Sequence, residues 1–231
     1  KAVDVKVIRI FENNVAQFLQ VNQLNGSREL KRAGRLILNK SIDLVSDKAI
    51  NYGEWNVFSL DLTRLIKTEP GAIYRVEIGF RQSQSLYPCP DNVTDESKKE
   101  ETDSYDYSEE NEFSYWDSYE NYYYSDYDYY SYDNYQWSDR EDPCKPAYYG
   151  KRRSVSRNIL ASNLGLITKQ GTNGEIYVTV TDLLKAEPLG GAKVILYNYQ
   201  QQKMAEETTG GDGTVIFKPE GQPFLVVAES G

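Results

Sequence analysis

Aliphatic side chains almost vanish from this chain between about residues 88 and 146, and that gap dictates where a hydrophobic core can be built. Tyr, Asp, Glu and Ser fill it, as in Tyr122-Tyr123-Tyr124-Ser125-Asp126-Tyr127-Asp128-Tyr129-Tyr130. From Asp91 to Pro143 there are 18 acidic residues against Lys98, Lys99 and Arg140, a net charge of 3 − 18 = −15. The whole chain of 231 residues carries −9, so the remainder carries −9 + 15 = +6. A mildly basic body is therefore interrupted by a strongly acidic insertion. Low aliphatic content with high net charge predicts disorder for such a segment. Tyrosine argues the other way, because its ring buries apolar area while its hydroxyl stays wet. Nucleic acid is not an expected partner, since phosphate would be repelled.

The flanks read as short strands. Tyr74, Val76, Ile78 and Phe80 alternate with Arg75, Glu77 and Gly79, and Phe58, Leu60 and Leu62 alternate with Ser59 and Asp61. Val3, Val5 and Val7 hold one parity and Ile8 and Ile10 the other, which predicts a bulge near Val7 or burial on both faces. Val15 to Val21 and Leu36 to Leu44 complete five strands. The stretch Asp61 to Lys67 has a competing reading as one helical turn, from the spacing of Leu62, Leu65 and Ile66. After the insertion, Tyr148 to Ser156 is strand-like. Ile176, Val178 and Val180 then alternate, followed by Ala192, Val194 and Leu196, by Val215 and Phe217, and by a closing strand at Leu225 to Ala228. Pro188-Leu189-Gly190-Gly191 and Gly210-Gly211-Asp212-Gly213 supply the turns. Short strands with turn signals at this spacing predict an all-β fold of two antiparallel, Ig-like sandwiches, at 1–160 and 161–231. The insertion belongs to the first, leaving between its late strands and returning before the linker.

Histidine is absent, which removes the commonest general base and metal ligand. Two cysteines cannot build a four-sulfur zinc site. No phosphate loop, dinucleotide fingerprint or nucleophile–base pair is visible. The expectation is no enzyme, no catalytic residue, no cofactor and no metal. No stretch reaches the roughly 18 apolar residues of a membrane span. The start at Lys1, directly in strand sequence, and the end at Glu229-Ser230-Gly231 read as a piece of a longer chain.

Cys89 and Cys144 bracket the insertion. If strand order brings them together, a disulfide ties its neck and places the protein in an oxidising compartment. The alternative is two unrelated reduced thiols. Proline on both sides of each cysteine favours the disulfide. The insertion itself admits three readings. It is a tolerated solvated loop, or a docking surface carried by Tyr115, Trp116, Tyr122, Tyr123, Tyr124, Tyr127, Tyr129, Tyr130 and Trp137. The third reading is a calcium site at Asp126, Asp128 and Asp133, which lacks the glycine and closing glutamate of a calcium loop. Lys151-Arg152-Arg153 is a solvated linker offsetting the acidic loop, or else a processing site. Asn25-Gly26-Ser27 and Asn92-Val93-Thr94 match the glycosylation sequon.

The string Ser156-Arg157-Asn158-Ile159-Leu160-Ala161-Ser162-Asn163-Leu164-Gly165-Leu166 leads to Val178-Thr179-Val180-Thr181-Asp182-Leu183. Glu187-Pro188-Leu189-Gly190-Gly191-Ala192-Lys193-Val194 and Thr208-Thr209-Gly210-Gly211-Asp212-Gly213 follow. Together they resemble the macroglobulin-type domains of bacterial alpha-2-macroglobulins, with Asn163 and Gly210 departing from the family's usual aspartates. Ala16-Gln17-Phe18-Leu19-Gln20, Pro70-Gly71-Ala72-Ile73-Tyr74-Arg75-Val76 and Asp142-Pro143-Cys144-Lys145-Pro146-Ala147-Tyr148-Tyr149 resemble the preceding domain of such proteins from Bacteroidetes. The resemblance implies scaffold domains of a large exported protein that traps or restrains proteases. Its partners would be other domains of the same chain and, through the whole protein, proteases. It would be periplasmic or envelope-bound, touching membrane only through a lipid anchor outside this stretch. The family's thioester and bait region match nothing in this sequence. The competing reading is an Ig-like surface adhesin or polysaccharide-binding module using the tyrosine-rich loop.

Overall fold

The computed structural model describes residues 1–44, 51, 54–89, 137–149 and 153–230. The chain is mostly β and its sheets are antiparallel, as expected of macroglobulin-type sandwich domains. It divides into two compact units. One comprises Lys1–Asn14 and Asn22–Leu160, the other Val15–Val21 and Ala161–Gly231.

In the first unit β1 (Ala2–Ile10), β2 (Gly34–Asp43), β3 (Ile73–Gly79) and β4 (Val155–Leu160) form one sheet in the order β2-β1-β3-β4. The register of β1 on β2 shifts between Val7 and Ile8, where the parity of the sequence switches. Val5, Val7, Ile8 and Ile10 are all buried, so bulge and two-sided burial occur together. The central strand β3 does not alternate as its sequence suggests: Ile73, Tyr74, Arg75 and Val76 are all buried. Arg75 is accommodated because its guanidinium donates to Glu77 Oε1 (2.7 Å), Ser156 Oγ (2.6 Å) and Asn158 Oδ1 (3.1 Å). A buried charge is tolerable only when it is paired and hydrogen-bonded in this way.

Three strand expectations are corrected. Val15–Val21 is an α-helix, α1, grouped with the second unit, where Gln20 Nε2 donates to the Tyr199 carbonyl (2.5 Å). Val15, Phe18 and Leu19 fit helical spacing as well as Val15, Leu19 and Val21 fit a strand, and burial of Phe18 decides between them. Phe58 to Leu62 pairs with no described strand. Its end is a 3-10 turn at Leu62–Arg64, capped by Asp61, whose Oδ1 accepts from Thr63 N (3.0 Å) and Thr63 Oγ1 (2.6 Å). The helical alternative for this stretch is the one realised. Upstream, Trp55 and Val57 are almost wholly exposed. Tyr148 and Tyr149 lie in a 3-10 turn, Pro146–Tyr149, and the strand begins only at Val155.

The second unit stacks two sheets. β5 (Leu164–Gln170), β6 (Ile176–Asp182) and β10 (Thr214–Phe217) form one, with β7 (Glu187–Pro188) also on β6. β8 (Lys193–Tyr197), β9 (Lys203–Thr208) and β11 (Leu225–Glu229) form the other, in the order β11-β8-β9. Ile176, Val178 and Val180 of one sheet share a core with Val194, Leu196 and Ala192 on the β8 side, and Phe217 of β10 completes it. Each fully buried aliphatic side chain contributes about 1.5–3 kcal/mol. The crossings between sheets are pinned by buried Thr209, whose Oγ1 donates to Leu189 O (2.7 Å) and accepts from Ala192 N (2.9 Å).

On the opposite face of β6, Glu175 accepts from Lys218 Nζ (2.7 Å) and from the Tyr177 hydroxyl (2.8 Å). The Lys218 bond foremost, then Asn173 and Tyr177, hold its carboxyl down from 4.5 to about 2. Asp212, which accepts from Thr214 Oγ1 (2.7 Å) and Thr214 N (3.0 Å), is also lowered. A carboxylate lowered on folding stabilises above its unfolded pKa, and that stabilisation is lost as pH falls through the folded value. The second unit should therefore lose stability progressively between about pH 4.5 and 2. Glu175→Gln should flatten part of that slope in acid titrations followed by circular dichroism. An unaltered slope would show that Glu175 carries none of it.

Candidate interaction site at the neck of the insertion

β3 and β4 are antiparallel neighbours, with Ile78 opposite Val155 and Ile73 opposite Leu160. The insertion is thus the connection of a β-hairpin: chain leaves the sheet at Gly79 and re-enters beside it at Val155. This geometry brings Cys89 and Cys144 together, and they form a disulfide with Cα atoms 5.5 Å apart. Gln82 Nε2 donates to Cys89 Sγ (3.7 Å) and to the Cys144 carbonyl (3.5 Å) from the 3-10 turn that follows β3. On the returning side, Asp142 Oδ1 accepts from Cys144 N (2.9 Å) and the Tyr149 hydroxyl donates to Pro143 O (2.6 Å).

Aromatic rings line the return path. Tyr149 meets Phe80 edge to face at 5.5 Å and Tyr148 at 5.1 Å between centroids. The Arg153 guanidinium sits 4.1 Å above the Tyr148 ring and pairs with Glu141 at 3.6 Å. Arg153 thus has a specific seat at the neck. Lys151 and Arg152, its companions in the basic run, lie outside the described residues. Tyr148 and Tyr149 escaped the sequence reading because a Tyr-Tyr pair beside a cysteine fits a strand equally well. The signal that separates the readings is Pro146, which favours the start of a helical turn.

Of the expected docking residues, Tyr115, Trp116, Tyr122, Tyr123, Tyr124, Tyr127, Tyr129 and Tyr130 lie outside the described residues, as do Asp126, Asp128, Asp133 and Asn92-Val93-Thr94. The backbone of Trp137 opens a 3-10 turn, Trp137–Glu141, just ahead of Cys144. Among the described residues no group of three or more His, Cys, Asp or Glu is placed to hold a metal ion. Asn25 of the first sequon is committed within its own unit: its Oδ1 accepts from Asn158 N (3.0 Å), while Asn158 Nδ2 donates to Leu24 O and Gly26 O (both 2.9 Å).

Residues 161–231 match the family model described as bMG3, the bacterial alpha-2-macroglobulin MG3 domain. No individually curated protein matches the chain. Among solved structures, the chain is similar to native alpha-2-macroglobulin from Escherichia coli spanning domains NIE-MG1. That match has 14% identity and a TM-score of 0.50, and covers 100% of this chain and 79% of the other. A second structure of that protein, spanning MG0-NIE-MG1, matches at 14% identity and TM-score 0.49, over 100% of this chain and 52% of the other. The full native Escherichia coli protein matches at 14% and 0.49, with the chain covering 10% of its length. At this identity the first of these speaks for the fold alone.

Proposed function

We propose that this chain, whose residues 161–231 match the bacterial alpha-2-macroglobulin MG3 model, is part of a protein of that family and is scaffold rather than enzyme. The chain is read as two consecutive domains, 1–160 and 161–231, of a longer, exported, protease-restraining protein. The observation that carries the reading is the MG3 match on a two-sheet sandwich with a close-packed apolar core. A core of this kind provides the rigidity a scaffold domain needs. Its partners are the neighbouring domains of the same chain and, through the whole protein, proteases. The disulfide supports an oxidising, extracytoplasmic compartment. A periplasmic or envelope location with a lipid anchor follows from the family reading. No helix among the described residues is long and apolar enough to cross a membrane.

In this reading the tyrosine-rich insertion is a docking surface presented on a covalently closed hairpin. Its local charge of −15 would steer basic partners, and clustered tyrosines are favourable interface residues. The test is made in the whole protein, deleting 161–231 in one variant and 91–142 in another. Loss of the first should abolish protease restraint. Loss of the second should leave restraint intact while removing captured basic partners. Restraint that survives without 161–231 would end the scaffold reading, and an unchanged partner set without the loop would end the docking reading.

A further inference from the structure

We propose that α1 is a releasable strap, which becomes helical by docking on the outer face of the β11-β8-β9 sheet and returns to coil when it lifts away. That face is defined by the register. Val194 and Leu196 of β8 point into the shared core with Val226 and Ala228 of β11 and Ala205 of β9. Ile195 therefore points the other way, with Val227 directly opposite it on β11 and Tyr197 and Leu225 as the next pair on that face. Ile195 takes no part in the sandwich core, yet it is only 3% exposed. Val227, Leu225 and Tyr197 are half-buried. A side chain so removed from water on the outer face of a sheet must lie beneath something.

α1 supplies the matching surface. It is grouped with the second unit but belongs to neither of its sheets. Val15, Phe18 and Leu19 recur at helical spacing, and Phe18 is 1% exposed. Gln20 Nε2 donates to the carbonyl of Tyr199, two residues past the end of β8. The Tyr199 ring meets Phe224 edge to face at 5.1 Å, and Phe224 leads directly into β11. The helix is thus held where the chain leaves β8 and enters β11, at the Tyr197–Leu225 end of the apolar face.

Release follows from how little holds the helix by itself. Seven residues are too few to stay helical in water without a packed face, and Phe18 is the one buried residue of α1. Asn14 stands at the N-cap, but its side chain does not cap the helix: Nδ2 donates instead to the Ala33 carbonyl (3.1 Å). At the other end Asn22 Nδ2 donates to Arg28 O (3.0 Å), and Arg28 N donates back to Asn22 Oδ1 (2.8 Å). Asn14, Ala33, Asn22 and Arg28 all belong to the first unit. Both ends of the strap are therefore pinned in one unit, while the seven residues between them fold into the other. A lifted strap stays tethered at both ends, so it redocks at small entropic cost.

The experiment combines amide hydrogen exchange and calorimetry on the intact chain. In the wild type the α1 amides should exchange through local release, about tenfold or more faster than those of β8. Phe18→Ala should lower the melting temperature of the second unit by about five degrees or more and leave that of the first in place. Below that transition the variant should bind the apolar dye anilinonaphthalene sulfonate, which the wild type does not. Ile195→Ala removes the other side of the same contact, so the double variant should lose less than the sum of the two single ones. If Phe18→Ala fails to fold, Phe18→Leu takes its place in each measurement. A shift confined to the first unit, strictly additive losses, or α1 amides as protected as those of β8 would overturn the proposal.

Discussion

Gly213→Ala will unfold the second unit at temperatures where the unmodified chain is intact. Gly213 sits at φ +72°, in the left-handed region that costs an L side chain roughly 1–2 kcal/mol. The greater problem is space. A Cβ there would lie 2.6 Å from Val180 O, 2.9 Å from Leu189 N and 3.0 Å from Pro188 Cβ. Leu189 N donates to Val180 O (2.9 Å), and Val180 N donates to Gly213 O (2.9 Å). The substitution must push apart the backbone bonds that join β6 to the turn after β7. Losing one such buried bond costs about 1–3 kcal/mol on top of the conformational term. A destabilisation of about 2–5 kcal/mol follows, which in a unit of this size lowers the melting temperature by ten degrees or more. Gly211→Ala is the matched control, since a Cβ there meets nothing within 4 Å. Thermal melts that leave Gly213→Ala indistinguishable from Gly211→Ala would refute the crowding argument.

Breaking the disulfide should act on the other unit. Cys89 and Cys144 are separated by 55 residues, and closing a loop of that length restricts the unfolded chain by about 4 kcal/mol in the entropy model. Reduction, or the double change Cys89→Ala with Cys144→Ala, should lower the melting transition of the first unit by up to that amount. The second unit contains no cysteine and should melt unchanged. Native mass spectrometry before and after reductant gives the linkage directly, and calorimetry assigns the shift to one transition. If reduction moved neither transition, the disulfide would have no part in stability.

The core strands of the second unit were legible, β6, β8, β10 and β11 standing where the alternation predicts, whereas β5, β7 and β9 were not foreseen. The apolar residues of those core strands alternate with period two, Gly191 and Gly213 supply positive φ in the two glycine-rich turns, and the core pairs the faces that the alternation predicts. The first unit was legible only in part. Alternation along β3 misleads because both faces of the strand are covered over Ile73–Val76, so Arg75 is drawn into the interior and satisfied there by Ser156 and Asn158 from a strand about eighty residues away. Val15–Val21 has a pattern that serves two periodicities, and burial of Phe18 selects the helix.

The insertion was identifiable from composition alone, because charge and the loss of aliphatic residues are properties of the segment itself. Sequence determined that it exists, that its acidity of −15 is local, and that two cysteines flank it. Tertiary structure decided that it is a hairpin connection rather than a separator, because the pairing of β3 with β4 joins residues far apart in the chain. The same pairing put the cysteines within bonding reach. Local patterns report how each segment meets water; which strand lies beside which depends on long-range hydrogen bonds that no single segment encodes.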